Sequence, residues 1–318
     1  MKTSTKWRSV NREQKMRKEF SASIEKIATT DSMVIFLTGD LGFMALENVR
    51  AVMGARFINT GVSEQNMVSL AAGLASQGYT VLCYSIAPFA VFRPAEQIRI
   101  DVCLHNMNVK IIGNGGGYGY GIMGATHHAI EDIAVLSSFQ NMKCYIPFCN
   151  EDVNEIVNVM MQRKGPSYLR LGFGIKPEGL DLPAYSGVRK LKSGIKITIV
   201  GLGPVILNVF KAIEMDIGTD IADLFVVSEM PLVELPAILL NSVKKTGKVL
   251  VVEEHVSRGG LGENLSLLLL EKSAGCKLVH RFACGYPDGL YGSQAYHQKK
   301  SGLDPEAIYK IIKELSNE

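Results

Sequence analysis

What the sequence has little of narrows it first. Its six cysteines (Cys83, Cys103, Cys144, Cys149, Cys276, Cys284) include no Cys-x-x-Cys pair and most lie in apolar surroundings. They read as buried free thiols of a reducing compartment, not as a disulfide framework. No apolar stretch approaches the roughly 20 residues of a membrane span, and no run of about 7–15 apolar residues follows the start as a secretory signal requires. Charge of one sign is also scarce: 34 basic against 31 acidic side chains give a formal net charge of +3. That surplus is too small to suggest a nucleic-acid binder. A cytoplasmic protein with no membrane and no nucleic-acid partner is expected.

The surplus is local. Lys2, Lys6, Arg8, Arg12, Lys15, Arg17 and Lys18 stand against Glu13 and Glu19, which leaves the remainder slightly acidic. This start reads as a solvated leader entering a first helix with Met16, Phe20, Ile24 and Ile27 as its buried stripe.

At 318 residues, 47% hydrophobic and 20% charged, the chain is long enough for about two globular domains of roughly 150 residues each. Short apolar runs at 33–37, 80–84, 109–112, 143–146 and 168–171 read as buried strands. Helix-like segments at 63–75, 95–103, 129–139 and 152–162 alternate with them, the pattern of a parallel α/β unit. Residues 172–195 are rich in Gly, Pro, Lys and Ser with little periodicity, as in a linker. A second α/β unit follows, with strands at 196–200, 221–226, 248–252 and 277–282 and a final helix after Asp304. The expected architecture is α/β with two doubly wound domains, 1–175 and 196–318, joined by a linker over 176–195. Gly201-Leu-Gly203 reads as a tight strand-to-helix turn, since a dinucleotide fingerprint would need a third glycine and a later acid.

Three constellations in the first unit have the residue types for chemistry. In Asn59-Thr-Gly-Val-Ser-Glu64-Gln-Asn-Met67, Gly61 allows a turn and Glu64 falls in the first turn of a helix. An acid there is either a helix N-terminal charge or a functional carboxylate. Phe89 and Phe92, three apart beyond a strand, are either core or a platform for a ring at the carboxyl edge of the sheet. The third is a run of seven glycines between Gly113 and Gly124, closing on Ala125-Thr-His127-His128. Gly119-Tyr-Gly121-Ile-Met-Gly124 matches GxGxxG, but lies well past the strand end and lacks a following ribose acid. A loop delivering His127 into a cleft as a proton carrier fits better; the alternative is a pair of histidines capping the next helix.

Taken together and in this order, the segments resemble the C-terminal half of the transketolase family, its pyrimidine-binding domain followed by its C-terminal domain. Gly61-Val-Ser-Glu64-Gln-Asn with Ala71-Ala-Gly73-Leu resembles the segment bearing that family's catalytic glutamate. Phe89-Ala-Val-Phe92 with Glu96-Gln-Ile-Arg99 resembles its pyrimidine-stacking aromatics, and Thr126-His127 its active-site histidine. Thr38-Gly-Asp40-Leu is similar to a short acidic turn early in the pyrimidine domain. Val251-Val-Glu-Glu254-His with Gly259-Gly-Leu-Gly262 is similar to the glycine-rich signature of the C-terminal domain.

The resemblance implies thiamine diphosphate as cofactor, with Glu64 and His127 catalytic and Glu64, Phe89, Phe92 and Asp40 on the cofactor. In that family the glutamate hydrogen-bonds N1′ of the pyrimidine and promotes the imino tautomer that takes the C2 proton. A partly desolvated carboxyl with a raised pKa suits this task. The family holds the diphosphate and Mg²⁺ through a Gly-Asp-Gly motif in a preceding domain, and this sequence has no Gly-Asp-Gly. The resemblance therefore implies a split enzyme. An N-terminal partner subunit would carry that motif and the Mg²⁺, α₂β₂ would be the assembly, and no metal ligand falls on this chain.

The implied activity is transfer of a two-carbon ketol unit between small-molecule substrates. The alternatives are the β subunit of a 2-oxoacid dehydrogenase E1 component and a non-catalytic assembly subunit. Against the sugar-phosphate transketolases, Met123 stands where an Asp is typical, Gly115 near the place of a second histidine, and Phe173 where an Arg grips the acceptor phosphate. Arg17, His127, Met123 and Arg170 are the candidate substrate residues, with Arg17 and Arg170 the remaining anion ligands. An acceptor other than an ordinary pentose or tetrose phosphate is expected.

Overall fold

A computed structural model of the chain describes residues 16–42, 44–215 and 220–317. Lys2, Lys6, Arg8, Arg12 and Lys15 of the expected leader lie outside the described residues. The first helix, Met16–Thr30, buries Met16, Phe20, Ile24 and Ala28, while Ile27 packs at the margin of the core.

Among the described residues twelve strands follow, β1 (Val34–Thr38), β2 (Phe57–Asn59), β3 (Thr80–Ile86), β4 (Val109–Asn114), β5 (Lys143–Tyr145), β6 (Ser167–Leu171), β7 (Val188–Lys192), β8 (Ile197–Leu202), β9 (Ala222–Val227), β10 (Glu229–Met230), β11 (Lys248–Glu253) and β12 (Lys277–Arg281). They form a seven-stranded sheet in the order β10-β5-β6-β4-β3-β1-β2 and a five-stranded sheet in the order β12-β11-β8-β9-β7. Every pairing is parallel except β10 with β5 and β7 with β9. Helices cover both faces, which is why β1, β6, β8 and β9 are buried at every position instead of alternating. One apolar cluster runs from Leu37 and Cys83 through Ile133 and Ile146 to Val200 and Val251, so the two sheets share a core.

The structure corrects the expected linker and one helix. The stretch 176–195 contains β7, the antiparallel edge of the second sheet. Two of its basic residues have buried partners: Lys190 pairs with Asp223, and Arg189 reaches both oxygens of Asp152 at 2.6 and 2.7 Å, which ties β7 to the first unit. The helix expected over 129–139 is confined to Asp132–Ser137, because Ala129 is held in a bridge to Gly117 across the base of the glycine-rich loop. His127 and His128 therefore do not cap it. The helix expected over 95–103 is present, as a short α segment, Ala95–Gln97, that continues as a π-helix over Ile98–Leu104. Strand β10 was not legible. It comes from the second unit yet extends the first sheet through Glu229–Tyr145 and Met230–Cys144 pairing.

Candidate active site

The carboxyl ends of β1, β3 and β4, adjacent in the sheet, open toward one region, where ligands of open α/β sheets bind. The turn after β1 places Asp40 in the left-handed region (φ 59°), and Gly61 after β2 is also left-handed (φ 74°). Asn59 locks the two turns together. Its amide nitrogen donates to Asp40 Oδ1, and its oxygen accepts from the Asp40 and Gly61 N–H groups, each at 3.0 Å. Asp40 is exposed and borders a cleft with Thr38, Leu46, Arg50 and Phe57.

From Gly61 the chain enters the helix Glu64–Ser76, which turns Met67, Val68, Ala71, Ala72 and Ala75 into the core. The same rotation carries Glu64 inward, leaving it only 4% exposed. Its carboxylate lies 3.5 Å from the Ser85 hydroxyl at the end of β3. Arg93 Nη1 donates to both of its oxygens, at 2.8 and 3.0 Å.

After β3, Pro88 opens the short helix Ala87–Val91, which a missing N–H and a fixed φ suit. This helix sets the half-buried Phe89 beside Glu64's partner: the Arg93 guanidinium carbon is 3.8 Å above the centre of the Phe89 ring. Phe92 lies further out and is exposed.

The glycine-rich loop leaves β4 and returns at Ala129. Gly115 and Gly116 donate to the Leu171 carbonyl at 2.9 and 3.0 Å, anchoring it over the end of β6. At its far side His127 packs edge-on against Phe89, ring centres 5.1 Å apart, and its Nδ1 is 2.9 Å from Thr126 Oγ1. Glu64, Phe89 and His127 thus belong to one cluster, with Arg93 at its centre. A Cβ at Gly115 (φ 76°) would fall 2.2 Å from the Tyr120 ring, so Tyr120 fills the space a larger side chain would take here. Tyr120 accepts from the Asn114 amide at 2.9 Å. Burial pushes the Tyr84 phenol up, and the charge of Arg17, half-buried on the first helix, opposes that push.

Met123 is exposed on the rim of the loop. Arg170, expected as an anion ligand, is instead an interior brace, 5% exposed. Its Nε lies 3.0 Å from Asp132 Oδ2, and its Nη2 donates to the carbonyls of Ala129 and Glu254 at 2.6 and 3.0 Å. With its donors turned inward it presents no free fork to solvent.

Sequence reasoning missed the groups that hold the loop from the second unit. The buried Glu254 accepts from the Tyr118 N–H at 2.7 Å and from the Gln294 amide at 2.9 Å. Burial pushes its carboxyl up, against the pull of Gln298, Gln294 and the Tyr118 N–H. His128 Nε2 donates to the Gly121 carbonyl at 2.7 Å and its Nδ1 meets the Tyr286 hydroxyl at 2.8 Å; desolvation lowers its pKa. Arg93 was missed as well, although a cation directly after Phe92 was visible. In the Val251 to Gly262 signature, Glu253 accepts from the Leu261 and Gly262 N–H groups at 2.8 and 2.9 Å and so caps the helix Leu261–Glu271.

Residues 12–172 match the transketolase pyrimidine-binding domain, and residues 186–308 match the transketolase C-terminal domain. The chain belongs to the transketolase family. It is 30% identical to one of the subunits of the apulose-4-phosphate transketolase of Phocaeicola vulgatus, over 94% of this chain and 96% of that one. It is 28% identical to a 6-deoxy-6-sulfo-D-fructose transketolase subunit of a Clostridium species, over 91% and 90% of the two chains. Among solved structures, a split-gene transketolase described as an inactive β4 tetramer superposes with a TM-score of 0.81 at 26% identity, covering 96% of this chain and 98% of that one. This transketolase chain is thus a transferase subunit of a thiamine-diphosphate-dependent family, with the extent of the second polypeptide of split enzymes; the 2-oxoacid dehydrogenase reading is not favoured. Among the described residues no helix is long and apolar enough to cross a membrane.

The donor set suits the cofactor's pyrimidine. A planar, N–H-bearing group, the Arg93 guanidinium, already rests on the Phe89 face and donates to the buried Glu64 carboxylate. An aminopyrimidine offers the same combination of flat face and ring-edge polarity.

Proposed function

We propose that this chain is the pyrimidine-side subunit of a split transketolase that transfers a two-carbon ketol unit to a carbonyl acceptor. When bound, thiamine diphosphate would supply the nucleophilic carbon that carries the two-carbon unit. Glu64 would hold and exchange a proton at the pyrimidine N1′, Phe89 would bind the ring by its face, and Phe92 would extend that platform outward. Asp40 would border the cofactor from the turn after β1. His127, resting on Phe89, would move protons at the substrate. An N-terminal partner subunit with a Gly-Asp-Gly motif would hold the diphosphate and Mg²⁺, with α₂β₂ the assembly.

The observation that carries this reading is a carboxylate only 4% exposed beside an aromatic face at the carboxyl edge of the sheet. Glu64→Gln in the two-subunit complex is expected to slow C2 proton exchange on the cofactor by roughly 10²–10⁴-fold, the range for a positioned proton-transfer group. Exchange at the parental rate would remove Glu64 from the mechanism.

For the acceptor, the apolar Met123 on the loop rim and the inward Arg170 support a compound other than an ordinary pentose or tetrose phosphate. The names of the two relatives, one for apulose 4-phosphate and one for 6-deoxy-6-sulfo-D-fructose, support a ketose other than the ordinary sugar phosphates on the donor side as well. Arg17 remains the anion-binding candidate. Steady-state kinetics address both points. This chain alone should show no turnover, and the reconstituted complex should use xylulose 5-phosphate with ribose 5-phosphate at a kcat/KM below about 10⁴ M⁻¹s⁻¹. Activity of the chain alone would refute the split site, and a higher value would refute the unusual acceptor.

A further inference from the structure

Arg93 is the cation that meets Glu64 at the centre of the site, and no motif above includes it. Its side chain is 45% exposed while Glu64 is 4% exposed, so the arginine enters from the open mouth and closes over the acid. Nη1 bridges both carboxylate oxygens, and the guanidinium lies 3.8 Å above the Phe89 ring centre. These are the two contacts that the functional reading assigns to the aminopyrimidine, a face on Phe89 and a polar edge on Glu64. Planarity and N–H donors let a guanidinium make both. One ring face and one carboxylate cannot serve two planar groups at once.

We propose, resting on that reading of the site, that Arg93 is a displaceable occupant of the pyrimidine subsite. In the chain without cofactor it compensates the buried Glu64 charge and covers Phe89, and it swings into the open mouth when the cofactor enters. Among the described residues Glu64 is its sole ion-pair partner, and the Phe89 face is the other contact that holds the guanidinium at the site. Such a competitor weakens apparent cofactor affinity by the fraction of molecules in which the subsite is open. Removing it therefore has two consequences of opposite sign. The cofactor-free chain loses the partner of a buried carboxylate and becomes less stable. The cofactor, freed from competition, binds more tightly.

The test is calorimetric titration of thiamine diphosphate with Mg²⁺ into the two-subunit complex, paired with melting of the cofactor-free chain. Arg93→Met is expected to lower Tm and to lower the cofactor Kd about tenfold, the gain if nine molecules in ten are closed. Arg93→Lys keeps the charge without the plane and should fall between the parent and Arg93→Met in both readouts. An arginine with a merely structural role would lower Tm without tightening the cofactor. A Kd unchanged or raised in both variants would overturn the proposal, a raised one making Arg93 a cofactor ligand. Parental affinity in Phe89→Ala would instead overturn the reading of the subsite, and the proposal with it.

Discussion

Arg170 shows how far a side chain's chemistry depends on its surroundings. From its place at the end of an expected strand it is a free guanidinium beside a substrate cleft. In the fold it faces the fully buried Asp132, whose Oδ2 also accepts from the Tyr168 hydroxyl at 2.7 Å. Breaking such a pair from one side leaves an uncompensated buried charge, so Arg170→Met is expected to cost about 3–5 kcal/mol of stability. Denaturant unfolding of the cofactor-free chain checks this. Parental stability with a raised KM for an anionic acceptor would return Arg170 to the role of ligand. The meeting of Glu64, Phe89 and His127 in one cluster was legible because each sits in a segment whose residue types and order carry meaning together. The bracing roles of Asp132 and Glu254 were not, since the acid pairs Glu131-Asp132 and Glu253-Glu254 give no sign in sequence of which member meets a partner on another element.

At the scale of elements, the parallel strands were readable because burial on both faces makes them uninterrupted apolar runs. Strand β7 hid because Arg189, Lys190 and Lys192 give it the composition of a loop, while Asp152 and Asp223 supply the missing charge from outside it. The glycine-rich loop is the element whose shape matters most to the site. Gly117 is left-handed (φ 62°), and a Cβ there would fall 2.3 Å from Glu254 Oε1. Gly117→Ala should therefore displace the buried carboxylate, costing about 1–3 kcal/mol, and lower kcat by shifting His127. Gly73, in the helix Glu64–Ser76 with open space around its Cβ position, provides the contrast. Gly73→Ala is expected to stabilise by roughly 0.4–1 kcal/mol and leave kcat alone. Melting curves and initial rates on the two variants separate loop geometry from general glycine content; equal kcat in both would detach the loop from turnover.

For the whole molecule, the two-unit α/β architecture was evident from alternating runs, but the joint between the units was not, because its contacts join residues far apart in sequence. The β10–β5 pairing, the Asp152–Arg189 pair and the loop clasped by Glu254 all cross it. These crossings bear on where a gene for such an enzyme tolerates division. A break between the two units would strip β5 of its edge partner, strand Asp152 without its cation and release the loop that carries His127. Two separately translated halves would each expose a raw seam. A break ahead of Met16 severs none of these contacts, so independent synthesis, regulation and exchange of the other half of the enzyme become possible while this half remains one folding unit.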